Sequence, residues 1–277
     1  MTRREQRRLA FLRVSGWEHV QITPLAGDAS NRRYLRLTGN PDHRRAILMD
    51  ADPNTVGMQQ AFVEMASYLI DAGFSAPHIF AADLAQGFVL LEDFGDAVFA
   101  RMLVDAPAQE AALYRSAADC LAALHRQPAA KHLLQTTPDV LAKLIAPAFE
   151  WYAAKATPDN TQKAQTATVA LLATSLQRHA PQCSVTVLRD FHAENLIWLP
   201  ERTGICRVGL LDFQDAVVGH PAYDLVSLTR DARRDLGPGV AALTTQHYLS
   251  QSPVEPAPFL DATAVLSVQR NLRILGI

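Results

Sequence analysis

The stretch VLRDFHAEN, residues 187–195, decides the fold of this chain. It joins an apolar strand to a tight polar loop in which Asp190 and Asn195 stand five positions apart. A second stretch, LLDFQD at residues 210–215, brings Asp212 to the end of another apolar run. Polar side chains at a loop and at a strand end are typical of a catalytic edge, so these residues form the candidate active site.

A β-hairpin is expected between the two stretches, because apolar runs at 196–199 and 208–211 flank a turn rich in Pro, Gly and polar residues. It would bring Asp190, Asn195 and Asp212 to one edge. Such oxygen atoms suit phosphoryl transfer, which needs a base that orients a hydroxyl and ligands that hold Mg²⁺ against a triphosphate. We expect Asp190 to be the base and Asn195 and Asp212 to be the metal ligands. Taken alone, the Asp-x4-Asn spacing would also fit a surface turn.

Three motifs together resemble one known family. Arg189-Asp190 and the DFQ triplet at residues 212–214 resemble the catalytic loop and metal strand of kinase-like phosphotransferases. Their form is similar to the aminoglycoside phosphotransferase family, whose G-x-P-x-x-D-L segment is matched by GHPAYDL at residues 219–225. Asp212 follows Asp190 by 22 residues, which leaves room for the expected hairpin.

This resemblance implies a two-lobed α+β fold of the protein-kinase type. Residues 1–92 would form a β-rich, nucleotide-binding N-terminal lobe, and residues 93–277 a mainly helical C-terminal lobe for catalysis and acceptor binding. ATP and Mg²⁺ are the implied cofactors. Within the C-terminal lobe, Asp224 and Arg189 would support the catalytic loop.

The composition excludes several other classes of protein. Of 277 residues, 49% are hydrophobic and 19% are charged, which indicates a globular chain. A net charge of −2 argues against nucleic acid or an anionic membrane as the main partner. No apolar run reaches the ~18 residues of a membrane span. The three cysteines lack C-x-x-C spacing, which predicts reduced thiols. The basic N-terminus has no long apolar core, so we expect no signal peptide and a cytoplasmic protein. We also expect a monomer or weak dimer.

The expected phosphate-binding turn lies between the first two strands, at residues 27–31. Its candidate contacts to ATP are Asp28, Ser30 and Asn31, although an ordinary hairpin turn would have the same composition. The third strand, 46–49, lacks the lysine that kinases place there, and Leu48 or Met49 stands in its position. We expect Arg33 to supply the missing charge; magnesium and backbone donors alone are the alternative.

The linker between the lobes is expected in FVLLEDFG, residues 88–95. In kinase-like folds this segment contacts the adenine edge through its main chain, so Glu92 and Phe94 are candidate nucleotide contacts. Recognition through the backbone leaves the choice between ATP and GTP open.

The candidate acceptor residues have mixed charge: they are His192, Glu194, Asp215 and Arg230. This lining favours a neutral or acidic small molecule over a polycation. Three stretches, GDASNRRY (27–34), AILMD (46–50) and QRNLRILG (269–276), resemble the anomeric kinases that phosphorylate N-acetylmuramate and N-acetylglucosamine in bacterial cell-wall recycling. Kinases of other small alcohols, a catalytically silent nucleotide-binding module and a hydrolase remain alternatives.

Helical periodicity adds expectations that the structure can test. We expect long helices at 56–72, 107–125, 138–154 and 160–179, and one from 225 toward 234. A last helix at 259–275 runs almost to the final residue, which suggests that a C-terminal segment is absent.

Overall fold

The computed structural model describes residues 1–25, 32–40, 45–57, 59–156 and 161–276. Its N-terminal part contains one antiparallel sheet with the strand order β1-β2-β3-β5-β4. The strands are β1 (Gln21–Pro24), β2 (Arg33–Thr38), β3 (Ala46–Asp50), β4 (Ile79–Asp83) and β5 (Phe88–Glu92). Strand β3 agrees with the predicted third strand at 46–49, and β1 and β2 lie on either side of the predicted turn at 27–31.

The sheet is covered on both faces because alternate side chains of a strand point in opposite directions. Leu48 packs with Phe88 and with Phe11 of helix α1 (Arg3–Val14) on the outer face. Its neighbour Met49 packs on the opposite face, together with Phe62. Of the two positions proposed for the missing lysine, Met49 is therefore the one that faces the interior of the molecule.

The predicted helix at 56–72 is two helices, α2 (Pro53–Val56) and α3 (Gln60–Asp71). Gly57 lies between them with φ of 76°, a conformation that glycine adopts freely and that ends a helix. Phe62, Met65 and Leu69 form the buried stripe of α3, as the periodicity predicts.

The C-terminal part is mostly helical. Its helices are α4 (Phe99–Asp105), α5 (Glu110–His125), α6 (Pro138–Lys143), α7 (Ala154–Ala156), α8 (Thr161–His179), α9 (Ala222–Thr229), α10 (Val240–Ser250) and α11 (Pro256–Ile274). A 3₁₀ turn, Pro107–Gln109, precedes α5. The expected hairpin is present as β7 (Leu196–Trp198) and β8 (Val208–Leu210), with a 3₁₀ turn at Gly204–Arg207. A second antiparallel pair joins β6 (Val185–Val187) to β9 (Val217–Gly219).

Two helix predictions were wrong in length. The segment at 138–154 is α6 followed by a wider π-helix at Ala148–Ala153, because Pro147 lacks the N–H that would continue the α-helical ladder. Helix α9 ends at Thr229 and does not reach residue 234. Helix α4 and strand β9 were not anticipated; both are too short to give a periodic signal.

Several contacts join the two parts at the hairpin. The N–H of Leu210 donates to the carbonyl of Ser75 at 2.7 Å, and the Cys206 thiol donates to the carbonyl of Gly73 at 3.1 Å. The Phe62 ring of α3 stacks on Phe213 with 5.1 Å between ring centroids. These contacts hold the sheet against the hairpin and so define the cleft between them. Among the described residues, no helix has the length and apolarity needed to cross a membrane.

Candidate active site

Asp224, the first acidic residue of α9, accepts hydrogen bonds from the backbone of the loop after β6. This carboxylate is fully buried; its Oδ2 accepts the N–H of Leu188 at 2.6 Å and its Oδ1 that of Arg189 at 2.8 Å. Arg189 has φ of 73°, a conformation that costs energy in any residue other than glycine. The Ser227 hydroxyl donates to the Arg189 carbonyl at 2.9 Å. A strained turn with three hydrogen bonds to one helix gives the next residue, Asp190, a fixed position.

Asp190, Asn195 and Asp212 meet as the spacing predicts. The Asn195 side-chain amide donates to the Asp190 carbonyl at 3.0 Å and lies 3.4 Å from Oδ2 of Asp212. Asp212 follows β8 by two residues and has φ of 56°, so it is not the last residue of the strand. Gln214 donates to its other oxygen at 2.7 Å.

This group of side chains fits a magnesium ion that also binds phosphates. Asn195 offers one side-chain oxygen and Asp212 a carboxylate, and magnesium sites of this kind use one or two carboxylates together with water and substrate phosphates. The described residues contain no cluster of three or more His, Cys, Asp or Glu side chains that could hold a metal by themselves. Water and nucleotide phosphates would complete the coordination of a magnesium ion held by Asn195 and Asp212.

The surroundings of Asp190 make it more basic than an exposed aspartate. Burial raises its pKa, and the neighbouring negative charge of Asp212 raises it further. Arg189, Arg273 and Arg270 act in the opposite direction. A carboxylate of this kind is suited to accept a proton from a hydroxyl.

Two cavities meet at this site. The first, of about 330 Å³, lies between the sheet and the hairpin and has the apolar walls Ile47, Leu91, Phe94, Ile197 and Leu211. The second, of about 640 Å³, lies between the catalytic loop and α11. Asn195 and Asp212 line both cavities, whereas Asp190 lines only the second. The phosphates of a nucleotide in the first cavity would thus extend past Asn195 and Asp212 toward Asp190.

The linker residues line the first cavity as expected. The N–H of Glu92 donates to the His78 carbonyl at 2.8 Å, so a ligand can use only other main-chain atoms of this residue. Arg202 forms an ion pair with the Glu92 side chain and lies 4.9 Å above the ring of Phe94. Within the described ranges the N–H of Phe94 has no hydrogen-bond acceptor, which leaves it available to an adenine edge.

The Phe94 ring rests on Gly209, and this close approach can be tested. A Cβ atom at residue 209 would lie 2.9 Å from the Phe94 ring and 3.1 Å from the Leu199 side chain. We expect Gly209→Ala to displace the linker and raise the KM for nucleotide by about three- to tenfold, with a smaller effect on kcat. Steady-state kinetics with varied ATP would measure this. Adding Phe94→Leu should restore part of the loss, and an unchanged KM in Gly209→Ala would contradict the assignment.

Of the residues predicted to contact the phosphates, only Arg33 is among the described residues. Asp28, Ser30 and Asn31 lie outside the described residues. Arg33 is exposed and lines neither cavity. Arg36, three residues along β2 and so on the opposite face, lines the first cavity, where it is paired with Asp93 at 2.8 Å and with Asp96 at 2.9 Å.

The acceptor side differs from the prediction at one residue. His192, Glu194 and Asp215 line the second cavity. Arg230 does not; it is exposed at the end of α9, and Arg233 from the following loop lies in the cavity. Helix α9 ends at Thr229 with Arg230 as its C-cap, and the loop that follows places Arg233 in the cavity.

His192 is neutral at ordinary pH because burial lowers its pKa to about 4, against the effect of Asp231. Arg233 lies 3.1 Å from Nε2 of His192, so Nε2 acts as the acceptor. Arg233 also lies 3.2 Å from Asp231 and 3.5 Å from Glu194.

Sequence reasoning missed the other basic residues of this cavity. They are Arg32, Arg270 and Arg273. Arg270 and Arg273 stand three positions apart on α11, a spacing that places both on one face of a helix. The sequence contains that signal, but nothing local shows that this face of the last helix meets the catalytic loop.

Comparison with known proteins decides the family. The model of the phosphotransferase enzyme family matches residues 21–259. The chain belongs to this family. The predicted family is thereby confirmed, and the protein is a kinase-type phosphotransferase that uses a nucleotide.

Curated relatives extend over nearly the whole chain. An N-acetylmuramate/N-acetylglucosamine kinase of Caulobacter vibrioides is 37% identical over 310 residues, covering 99% of this chain and 85% of that protein. A kinase of the same name from Pseudomonas aeruginosa is 32% identical over 275 residues, covering 95% and 78%. The ADP-bound aminoglycoside phosphotransferase APH(2'')-Ib superposes with a TM-score of 0.63 at 14% identity, covering 93% of this chain and 85% of that one. The last match concerns the fold alone, and it confirms the predicted two-lobed kinase-like architecture.

Proposed function

We propose that this phosphotransferase transfers the γ-phosphoryl group of Mg-ATP to the anomeric hydroxyl of N-acetylmuramate or N-acetylglucosamine. One observation carries the acceptor assignment: relatives that share up to 37% identity over almost the full chain bear the name of this activity. The second cavity agrees with it, since a site lined by several arginines suits a neutral or anionic sugar better than a polycationic drug. The expected pathway is cell-wall recycling in the cytoplasm.

The chain's own residues act as follows in this proposal. The carboxylate of Asp190 orients the acceptor hydroxyl in the second cavity and takes its proton as the new P–O bond forms, while the bond from the γ-phosphorus to the bridging oxygen breaks and ADP leaves. Asn195 and Asp212 would hold Mg²⁺, which would neutralise charge on the phosphates. Asp224 and Arg189 hold Asp190 so that the acceptor hydroxyl lies in line with the γ-phosphoryl group of ATP in the first cavity.

The remaining assignments concern nucleotide binding. Residues 1–92 serve as the nucleotide-binding lobe and residues 93–277 as the catalytic lobe. Asp28, Ser30 and Asn31 contact the phosphates, and the main chain at Glu92 and Phe94 contacts the base. Because Met49 replaces the lysine and Arg33 is exposed, Mg²⁺ and backbone donors carry most of the phosphate binding.

The test is a panel of acceptors with Mg-ATP, read as ADP release and as formation of a sugar phosphate. The panel contains N-acetylmuramate, N-acetylglucosamine, free glucosamine, choline, homoserine and kanamycin. Turnover on the two acetylated sugars alone supports the proposal. Turnover on another alcohol keeps the phosphotransferase and removes the sugar assignment. ATP binding without turnover on any acceptor would favour a nucleotide-binding module in which Met49 marks the loss of catalysis.

A further inference from the structure

Two arginines in the acceptor cavity form no ion pair with any carboxylate among the described residues. The basic side chains that line this cavity include Arg233, Arg270 and Arg273. Arg233 is neutralised by Asp231 and Glu194. Within the ranges that the structure describes, neither Arg270 nor Arg273 has a carboxylate within ion-pair distance. The carboxylates of Asp190, Glu194, Asp212 and Asp215 line the same cavity, but none of them forms an ion pair with either arginine.

Arg270 is unusual because it is buried as well as unpaired. Only 4% of its surface is exposed, and burial lowers its pKa. Its Nε donates to the Ser227 hydroxyl at 2.9 Å, while its buried Nη1 has no hydrogen-bond partner among the described residues. A buried cation with an unmet donor is destabilising unless a ligand or water pairs with it. The side chain thus has the properties of a preformed anion contact.

Arg273 stands beside it, one helical turn along α11. It is half-buried, and its Nη1 lies 3.4 Å from the Tyr223 hydroxyl, at the limit of a hydrogen bond. The rest of its planar donor group remains available. Two guanidinium groups on one face of a rigid helix form a site that matches the planar, two-oxygen geometry of a carboxylate.

We propose that Arg270 and Arg273 form a subsite for a carboxylate carried by the acceptor sugar. This rests on the function proposed above and identifies which of the two sugars the site is built for. N-acetylmuramate bears a lactyl ether with a carboxylate, whereas N-acetylglucosamine has a hydroxyl at that position. The arginines therefore favour the acidic sugar, because only its carboxylate can pair with their charge. The other possible source of an anion is the transferred phosphate, and it predicts a different result.

Arg273→Gln is the sharper test, because Arg270 also supports the catalytic loop through Ser227. We expect kcat/KM for N-acetylmuramate to fall at least about tenfold, mainly through KM. The loss for N-acetylglucosamine should be smaller by at least about threefold, because the neutral sugar has no carboxylate to lose its partner. Arg115→Gln, at an exposed position of α5, is the matched control and should alter neither value. The carboxamide of N-acetylmuramate should react with the wild type about as poorly as the acid reacts with Arg273→Gln.

The outcomes separate the subsite from the function on which it rests. An equal loss for both sugars, with a higher KM for ATP, would assign the arginines to the phosphate and overturn the subsite. Equal rates for the acid and its carboxamide in the wild type would overturn it as well. Turnover of neither sugar by the wild type would instead remove the proposed function.

Discussion

Asp190→Asn should lower kcat for the sugar acceptor by about 10³-fold and leave nucleotide affinity within about twofold. Removing a positioned general base costs roughly 10²–10⁴-fold in most enzymes. Asparagine keeps the size of the side chain but cannot accept the proton. The loop should survive, because Asn195 donates to the main-chain carbonyl of residue 190 and Asp224 binds the backbone before it. The nucleotide should also be unaffected, because Asp190 does not line the nucleotide cavity.

Single-turnover rates and titration with a fluorescent ATP analogue would measure the two effects separately. Asp212→Asn is the informative contrast: it should weaken the magnesium-dependent part of nucleotide binding, which Asp190→Asn should not. Asp105→Asn, at an exposed position at the end of α4, controls for expression and folding. Normal turnover in Asp190→Asn would mean that this carboxylate is not the base. A parallel loss of ATP binding would mean that it belongs to the metal site.

The catalytic group could be predicted because its determinants are local. Asp190, Asn195 and Asp212 lie within one loop and one hairpin, and the apolar runs around them fix how the chain turns. Short-range geometry then places their oxygen atoms together whatever the rest of the molecule does. The exact place of Asp212 was less predictable: it lies beyond the strand in a left-handed conformation.

The acceptor site could be predicted only in part because it depends on distant contacts. Arg270 follows Asp190 by eighty positions, and its place in the cavity results from packing between α11 and α9. Whether Arg230 or Arg233 points into the cavity depends on where α9 ends. Helix ends are set by capping and by tertiary contacts, which periodicity does not reveal. The acidic residues of this cavity could thus be predicted from the sequence, whereas most of its arginines could not.

Asp224→Asn should lower kcat and should change the free energy of unfolding in a way that depends on pH. The carboxylate accepts two backbone N–H groups, whereas asparagine offers one acceptor oxygen and one amino group, so one N–H would face another donor. One of those groups belongs to Arg189, whose strained conformation depends on the contact. A displacement of about 1 Å at Asp190 can cost about 10²-fold in rate, and we expect kcat to fall by about that factor.

The stability of the same variant should depend on pH with a definite sign. Burial raises the pKa of Asp224 to about 7 from its ordinary value of 3.8, although the two backbone hydrogen bonds lower it. Between these values the folded protein holds a proton that the unfolded chain releases, so this group makes the wild type less stable as pH rises from about 4 to about 7. Asparagine does not titrate. The free energy of unfolding of Asp224→Asn, relative to the wild type, should therefore rise across that window.

Urea unfolding at pH 4.5, 6 and 8, with kcat measured at pH 8, tests both halves of this expectation. Asp105→Asn should show no comparable trend. A variant that is slow but gains relative stability at high pH would mean that the charged carboxylate is kept for the geometry of the catalytic loop, at a cost in stability. A variant that loses relative stability as pH rises would mean the opposite: the two hydrogen bonds outweigh the cost of burial, and Asp224 stabilises the fold as well as the loop.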